Sequence, residues 1–287
     1  TSTGREFEIR FAGATSAGIT QILYIEFIGY SMMDIVPVFS DPTETVTIQG
    51  LIDGEVNRTF TGYTKLIESI VLAESGNIRI ALVIPMEILY SDKQIAVCVK
   101  PVGLDSEQEV PAELIRQLGG ECLPIHRLDK NVGGVMVFAR TKSAAAALSK
   151  AIQDGTMVKE YVALVHGCPP ENGDWSDLLF KDSSKNKVFV VKKERKGVKK
   201  ARLSYERLTG GDNSLVRIRL YTGRSHQIRV QFASRGLPLV GERKYSELND
   251  PCEIALWSHR IAFTHPGTGK RVEFSEEPPC VYPWTVV

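Results

Sequence analysis

The sequence has few cysteines, and none of them is spaced like the ligands of a zinc site or the partners of a redox motif. The five cysteines are scattered and odd in number (Cys98, Cys122, Cys168, Cys252 and Cys280). This pattern is typical of reduced thiols in an intracellular protein rather than of a disulfide framework. We therefore expect a cytoplasmic location.

Long apolar runs are also missing. No stretch approaches the roughly 18 apolar residues that a membrane-spanning helix requires. The chain does not open with a basic segment followed by an apolar one, which is the pattern of a secretory signal. We therefore expect neither membrane insertion nor secretion.

Basic residues are scarce in the first part of the chain. Residues 1–85 contain five Lys and Arg against ten Asp and Glu, whereas residues 86–287 contain thirty against twenty-four. Because positive charge attracts polyanions, the second part is the better candidate for binding nucleic acid, although a small basic excess is common in other proteins too. Residues 1–85 also lack His and Cys, so they offer no catalytic cluster.

The chain is long enough for two domains, and Pro85-Met86 is the predicted boundary between them. Short β-like runs predict strands over 7–11, 22–25, 45–48 and 77–84, with a helical turn over 63–69. Residues 1–85 are therefore expected to form a small all-β module of unknown role. A natural and an engineered fusion both remain open for this segment.

Residues 86–287 alternate many short strands with few helices. The pattern predicts strands over 94–100, 135–139, 157–166, 201–208, 215–220, 254–263 and 270–274, and helices over 111–118, 144–152 and 225–234. Ten Lys and Arg between 181 and 202 surround the apolar run 188–191, and with Gly197 they predict a basic β-hairpin. No repeated βαβ unit is visible, which favours an α+β domain with a largely antiparallel sheet.

One motif, Pro-Ile-His-Arg-Leu-Asp-Lys over residues 124–130, places a carboxylate beside basic side chains. It precedes an apolar run that predicts a buried strand, so Asp129 lies at the edge of a sheet. A lone Asp in this place usually caps a turn. His126, Asp129 and His226 also raise the possibility of a metal site, but no Cys or carboxylate cluster supports it and we expect none.

A second motif, Thr-Gly-Arg-Ser-His-Gln-Ile-Arg over residues 222–229, completes a resemblance. Together the two motifs resemble those of the RluA-type pseudouridine synthases, from about residue 86 to the C-terminus. The resemblance implies a mixed sheet around an RNA-binding cleft and the isomerisation of a flipped uridine in rRNA or tRNA. It also implies a monomer that needs no metal or organic cofactor.

The resemblance also implies roles for individual residues. Asp129 matches the nucleophile, whether it attacks the sugar or assists departure of the base through a glycal. Arg224 matches an arginine that pairs with this acid, and Tyr161, in a Lys-x-Tyr motif, matches a residue that stacks on uracil and accepts the C5 proton. The expected RNA contacts are His126, Arg127, His226, Gln227, Ile228 and Arg229.

Two segments depart from the pattern of many relatives. Val132-Gly133-Gly134 stands where many have Thr-Ser-Gly, and residues 241–246 stand where many have Gly-Asp followed by Tyr-Gly. We expect both departures to affect the fit of the substrate and not the catalytic residues. An inactive RNA-binding protein of the same fold is the main alternative, and a hydrolase using Ser225 and His226 is disfavoured because no nucleophile elbow surrounds Ser225.

Overall fold

The computed structural model describes residues 22–28, 45–52, 55–63, 71–72, 77–83 and 86–286. The chain divides into two compact units, Thr1–Glu87 and Ile88–Val287. Within the described ranges, no helix is long and apolar enough to cross a membrane.

The first unit contains strands β1 (Ile22–Ile28), β2 (Thr45–Ile52), β3 (Glu55–Tyr63), β4 (Val71–Leu72) and β5 (Asn77–Val83). β1, β5 and β4 form one antiparallel sheet in that order, and β2 pairs with β3 in a second. The predicted strand at 7–11 and residues 64–69 of the predicted helical turn lie outside the described residues. The sequence pattern missed β3, which includes Tyr63.

The second unit is built on one large sheet. Its strands are β6 (Ile88–Ser91), β7 (Ile95–Lys100), β8 (Leu123–Pro124), β9 (Gly133–Ala139), β10 (Val158–His166), β11 (Asn172–Asp182), β12 (Lys187–Val191), β13 (Val198–Arg207), β14 (Asn213–Leu220), β15 (Leu256–Thr264) and β16 (Arg271–Ser275). Their order is β12-β11-β13-β14-β10-β15-β9-β7-β6, with β16 on β15 and β8 on β9. Only β9 and β15 pair in parallel among these described strands. The predicted α+β fold with a largely antiparallel mixed sheet is confirmed.

Three α-helices accompany this sheet in the described part of the chain: α1 (Glu109–Leu118), α2 (Lys142–Gln153) and α3 (Gln227–Ala233). Thr141 caps α2 by accepting a hydrogen bond from the Ala144 amide at 3.1 Å. Ala144 and Leu148 then pack onto the buried face of β9 and β15. Thus α2 confirms the predicted helix over 144–152 and begins two residues earlier.

The predicted helix over 225–234 begins too early. His226 has φ 50° and ψ 25°, in the left-handed region, so α3 begins only at Gln227. This conformation separates the Thr222–Ser225 turn from the helix.

The predicted hairpin across Gly197 is wrong in its pairing. β12 pairs with β11, and β13 pairs with the other side of β11. Leu178, for example, lies opposite both Val191 and Lys200. Sequence proximity favoured a β12–β13 hairpin, but the long strand β11, largely missed by the pattern, separates them.

Two adjacent glycines allow β9 and β15 to approach each other. A Cβ at Gly133 would lie 2.3 Å from the Trp257 ring, and one at Gly134 would lie 2.3 Å from the Ser258 carbonyl oxygen. Gly134 also has φ +114°, which side chains rarely adopt. Gly133-Gly134 is therefore part of a buried strand, and backbone packing requires both glycines; their expected effect on the fit of the substrate stays a prediction.

We predict that Gly134→Ala lowers the free energy of unfolding by about 3 kcal/mol or more, because a steric clash adds to backbone strain. Gly155→Ala is the matched control, since Gly155 also has positive φ but nothing lies within 4 Å of its Cβ position. The control should lose about 1 kcal/mol. Urea unfolding measures both, and equal losses would contradict the packing argument.

Candidate active site

Asp129 lies in the loop between β8 and β9. Its carbonyl accepts a hydrogen bond from the Val132 amide at 2.9 Å, which closes a turn. Just before it, Leu128 exchanges hydrogen bonds with the Ser106 hydroxyl through its own amide and carbonyl. The acid is therefore carried by a loop with a defined backbone.

A buried lysine fixes the other side of this loop. Lys100 is fully buried, and its Nζ donates to the carbonyls of Pro101 (2.9 Å), Lys130 (3.1 Å) and Val132 (2.8 Å). Burial lowers the pKa of Lys100 to about 8, although nearby carboxylates, including Asp129, oppose this shift. From the sequence, Lys100 was only the last residue of a strand before Pro101.

Arg229 is the ion partner of Asp129. Its Nη1 donates to Asp129 Oδ2 at 3.0 Å, while Nε and Nη2 form a fork on Glu242 at 2.6 and 2.8 Å. The three side chains are largely buried, with exposed fractions of 22% for Asp129, 13% for Arg229 and 0% for Glu242. They form a chain of alternating charge.

The predicted pairing of Arg224 with Asp129 is wrong. Arg224 lies in the turn before α3, and its Nε donates to the Lys200 carbonyl at 2.9 Å. Arg229 lies five residues later on α3 and faces the Asp129 loop. Both arginines belong to the same motif, but the turn at His226 directs them to different partners.

Glu242 is the residue that the sequence prediction missed. Burial would raise the pKa of Glu242, but hydrogen bonds from Arg229 and its positive charge lower it. The Lys244 and Tyr245 amides also donate to its Oε1, at 2.7 and 3.2 Å. Residues 241–246 therefore contribute to the site itself, which corrects the expectation that they affect only the fit of the substrate. Their departure from the family pattern was the feature of the sequence that could have pointed to Glu242.

Tyr161 lies on β10, 6% exposed, and lines the same cavity as Asp129. Burial raises the pKa of Tyr161 and the Asp129 charge adds to this, whereas a hydrogen bond with Ser258 opposes it. The phenol is consequently neutral near pH 7. Its ring can stack on a base, but accepting a proton would require a phenolate that this environment disfavours.

Apolar side chains complete the cavity around Asp129 and Tyr161. Leu220, Ile228 and Leu256 line it. Ile228 is 4% exposed, so it contributes to both the core and the cavity wall. A groove of about 520 Å³ adjoins this cavity and also contains Asp129, Tyr161 and Arg224.

His126 uses one ring nitrogen internally. Its Nε2 accepts from the Val137 amide at 3.2 Å, and its buried Nδ1 has no hydrogen-bond partner within residues 86–286. Burial lowers the pKa of His126 to about 3, and the charge of Lys159 contributes. The ring is therefore neutral, with its proton on Nδ1. Residues 86–286 hold no cluster of three His, Cys, Asp or Glu side chains suited to a metal.

His226 connects the site to Tyr245. Its Nδ1 lies 2.7 Å from the Tyr245 hydroxyl, and its Nε2 lies 3.9 Å from Asp129 Oδ2. Burial lowers the pKa of His226, while the Asp129 charge opposes this. Because its Nδ1 is bonded to Tyr245 and no hydrogen bond joins it to Ser225 within residues 86–286, His226 is not arranged to activate Ser225.

Gln227 is occupied by the protein rather than open to a substrate. Its Oε1 accepts from the Thr222 hydroxyl (2.8 Å) and the Arg224 amide (3.1 Å), and its Nε2 donates to the Arg202 carbonyl (3.1 Å). The amide therefore shapes the Thr-Gly-Arg turn. This geometry favours a positioning role over the predicted RNA contact.

Arg127 is the most accessible of the predicted RNA contacts. It forms an ion pair with Glu107 at 2.9 Å, and the two side chains are 59% and 51% exposed. An exposed pair of this kind contributes little stability, so another anion can replace Glu107. Arg127 lines both the cavity and the groove.

Comparisons with known proteins find relatives of this chain. A family model described as RNA pseudouridylate synthase matches residues 94–234. An "Uncharacterized RNA pseudouridine synthase" of Aquifex aeolicus is 32% identical over 232 residues, covering 70% of this chain and 73% of that protein. A "Ribosomal large subunit pseudouridine synthase D" of Zymomonas mobilis is 30% identical over 223 residues, covering 68% and 70%.

A solved structure has the same fold. It is that of Human RNA Pseudouridylate Synthase Domain Containing 1, with a TM-score of 0.59 and 22% identity. The match covers 68% of this chain and 84% of the human one.

We predict that Glu242→Gln lowers the free energy of unfolding by about 3 kcal/mol, because it removes the charge that compensates buried Arg229. Glu206→Gln is the control, since Glu206 forms an exposed pair with Arg217 at 3.3 Å. The control should change stability by less than about 0.5 kcal/mol. If urea unfolds Glu242→Gln and the wild type at the same concentration, Arg229 does not depend on this partner.

Proposed function

Since the chain belongs to the RNA pseudouridine synthase family, and is therefore an enzyme that isomerises uridine to pseudouridine in RNA, we propose that Asp129 is its nucleophile and ribosomal RNA its substrate. The main support is the buried Asp129 carboxylate, oriented by Arg229 beside the Tyr161 ring in an apolar cavity. The relative named as a ribosomal large subunit enzyme favours ribosomal RNA over tRNA.

The reaction breaks the bond from C1′ to N1 and forms one from C1′ to C5, with no net oxidation or reduction. It requires a group that stabilises or attacks C1′ while the base is detached. Asp129 Oδ2 is held by Arg229, and Oδ1 accepts no hydrogen bond from residues 86–286. We assign Oδ1 to the sugar, either as the attacking atom or as the group that assists glycal formation.

Arg229 holds the nucleophile in place through the hydrogen bond from its Nη1 to Asp129 Oδ2. Its fork on Glu242 fixes the guanidinium on one edge, so its remaining Nη1–H points to Asp129. An oriented carboxylate needs no further reorganisation when charge develops on the sugar. Arg229 is therefore a positioning residue rather than the predicted RNA contact.

Tyr161 and the apolar wall hold the detached uracil. An aromatic face supports a base removed from its strand, and Leu220, Ile228 and Leu256 keep water from it. The neutral phenol suits stacking. Exposed Arg127, beside the cavity, is placed to enter the space that the flipped base leaves.

The basic segment 181–202 supplies a path for the RNA beside the groove. Its residues Lys192, Lys193, Lys196, Lys199 and Lys200 are exposed. The Lys200 carbonyl accepts from Arg224, and the Arg202 carbonyl accepts from Gln227, so this segment is attached directly to the Thr-Gly-Arg turn. Phosphate binding along such a surface depends strongly on salt.

The protein is proposed to act as a cytoplasmic monomer with a separate first module. One chain supplies Asp129, Tyr161, Arg229 and Glu242, so the site needs no second copy. The cysteines among residues 86–286 are free thiols, which fits a reducing compartment. Residues 1–85 contribute none of the proposed catalytic residues, and we propose that they form a module of their own.

We predict that Asp129→Asn abolishes tritium release from large-subunit ribosomal RNA labelled with [5-³H]uridine, a loss of at least about 10⁴-fold. The amide cannot serve as a nucleophile, although it keeps the shape of the side chain. Asp212→Asn, at an exposed position, should keep wild-type activity. RNA binding by the wild type without tritium release would instead favour an inactive RNA-binding protein.

We also predict that a variant lacking residues 1–85 releases tritium at a rate within about threefold of the wild type, a difference below 1 kcal/mol. The full chain, prepared in parallel, is the comparison. A loss of activity in a variant that still unfolds cooperatively in urea would show that catalysis needs the first module.

A further inference from the structure

A second buried cation in the groove has no role in the site described so far. Lys159 precedes Tyr161 by two residues on β10, so both side chains lie on the same face of the sheet. Lys159 is 7% exposed and lines the groove of about 520 Å³. It makes no hydrogen bond or ion pair within residues 86–286, unlike Lys100, whose ammonium binds three carbonyls.

The Lys159 ammonium lies against the Thr-Gly-Arg turn. A Cβ at Gly223 would be 3.1 Å from Lys159 Nζ, so the glycine leaves room for the ammonium. The next residue is Arg224, whose Nε donates to the Lys200 carbonyl. Its two terminal nitrogens have no partner within residues 86–286. Burial lowers the pKa of Lys159, and the charge of Arg224 contributes, which shows that the two cations are close.

The groove contains no anion that compensates these charges. Its only carboxylate is Asp129, which is bound to Arg229. A third unsatisfied donor, the Nδ1–H of His126, belongs to the same groove and is buried without a partner. Lys159 is largely buried and His126 Nδ1 fully so, and burial of an unpaired charge or an unsatisfied donor is unfavourable, so this groove is suited to an anionic ligand.

We propose that Lys159 and Arg224 form a phosphate subsite, which binds a backbone phosphate of the RNA next to the uridine that enters the Asp129 cavity. This subsite rests on the proposed function, because the RNA is its ligand. A phosphodiester carries one negative charge shared by two non-bridging oxygens, and these two acceptors suit an ammonium and the terminal N–H groups of a guanidinium. Its contact fixes the register of the strand, so that the uridine faces Asp129.

The principal test compares Lys159→Met with Lys159→Arg and with Lys270→Met, a control at an exposed turn. RNA affinity is measured against KCl concentration for the transcript that supports tritium release. Loss of one phosphate contact should reduce the slope of log affinity against log salt by about 0.7 to 0.9. A phosphate contact away from the reacting bond contributes the same binding free energy in the ground and transition states. Lys159→Met should therefore raise KM about tenfold and change kcat less than threefold. Lys159→Arg and Lys270→Met should keep the wild-type slope.

Stability separates this proposal from a structural role for Lys159. Removal of an unpaired buried charge should raise the urea concentration at the midpoint of unfolding, so Lys159→Met should be more stable than the wild type. A lysine that supports the fold would give the opposite result. Inorganic phosphate should raise the melting temperature of the wild type and leave that of Lys159→Met unchanged.

The results also separate the subsite from the proposed function. Tritium release by the wild type, together with an unchanged salt slope and KM in Lys159→Met, would overturn the subsite alone. A lower stability of Lys159→Met would overturn it as well. If the wild type releases no tritium, the proposed function fails, and the phosphate-dependent melting shift still decides whether Lys159 binds the anion.

Discussion

The geometry of the site depends on the ion pairs that join Asp129, Arg229 and Glu242. Each charge would be unfavourable alone, because burial removes the water that stabilises it. Together, one guanidinium serves two carboxylates, and its three donating nitrogens are directed by their planar arrangement. The pairs join the β8–β9 loop to α3, which lies about 100 residues later, and α3 to the segment that contains Glu242. They therefore make the position of the acid a property of the tertiary fold.

The backbone beneath the acid is fixed in a different way. Lys100 binds carbonyls on both sides of the turn that Asp129 begins, and Gly133 and Gly134 bring β9 against Trp257 and Ser258. Ser258 then donates to the Val135 carbonyl, and it lies opposite Tyr161 in the pairing of β15 with β10. The parallel contact between β9 and β15 thus sets the separation between the loop that carries the acid and the strand that carries the tyrosine. The close packing of β9 against β15 therefore also determines how the Asp129 and Tyr161 side chains are placed relative to each other.

Local signals in the sequence were sufficient for much of the fold. The apolar run at 135–139 predicted a strand because β9 is buried along its whole length, and the segment 144–152 predicted a helix that the structure confirms as α2, with Thr141 as its cap. The order of β11, β12 and β13 was not predictable in this way. β12 and β13 pair with opposite sides of β11 and not with each other. Strands that follow each other in sequence are often adjacent in the sheet, but not always.

The same distinction applies to the site. The motifs identified the segments that meet, but not which side chain pairs with Asp129. Arg224 and Arg229 have the same chemistry and lie five residues apart, and only the left-handed turn at His226 determines which one faces the acid. Lys100 and Glu242 were missed because their importance comes from burial and long-range contacts. A sequence pattern does not contain either of these.

The two sides of the cavity use positive charge in opposite ways. Arg229 is fully paired within the protein, so the Asp129 carboxylate, the proposed nucleophile, is oriented before any RNA binds. Lys159 and Arg224 have no anionic partner within residues 86–286, and for Lys159, which is 7% exposed, burial without a partner is unfavourable. A phosphate of the RNA brings a negative charge to these two cations. The favourable free energy of that pairing is therefore gained when RNA binds and not when the protein folds. The site therefore contains two kinds of positive charge: Arg229, whose carboxylate partners belong to the protein, and the pair Lys159 and Arg224, for which we propose that the RNA supplies the anion.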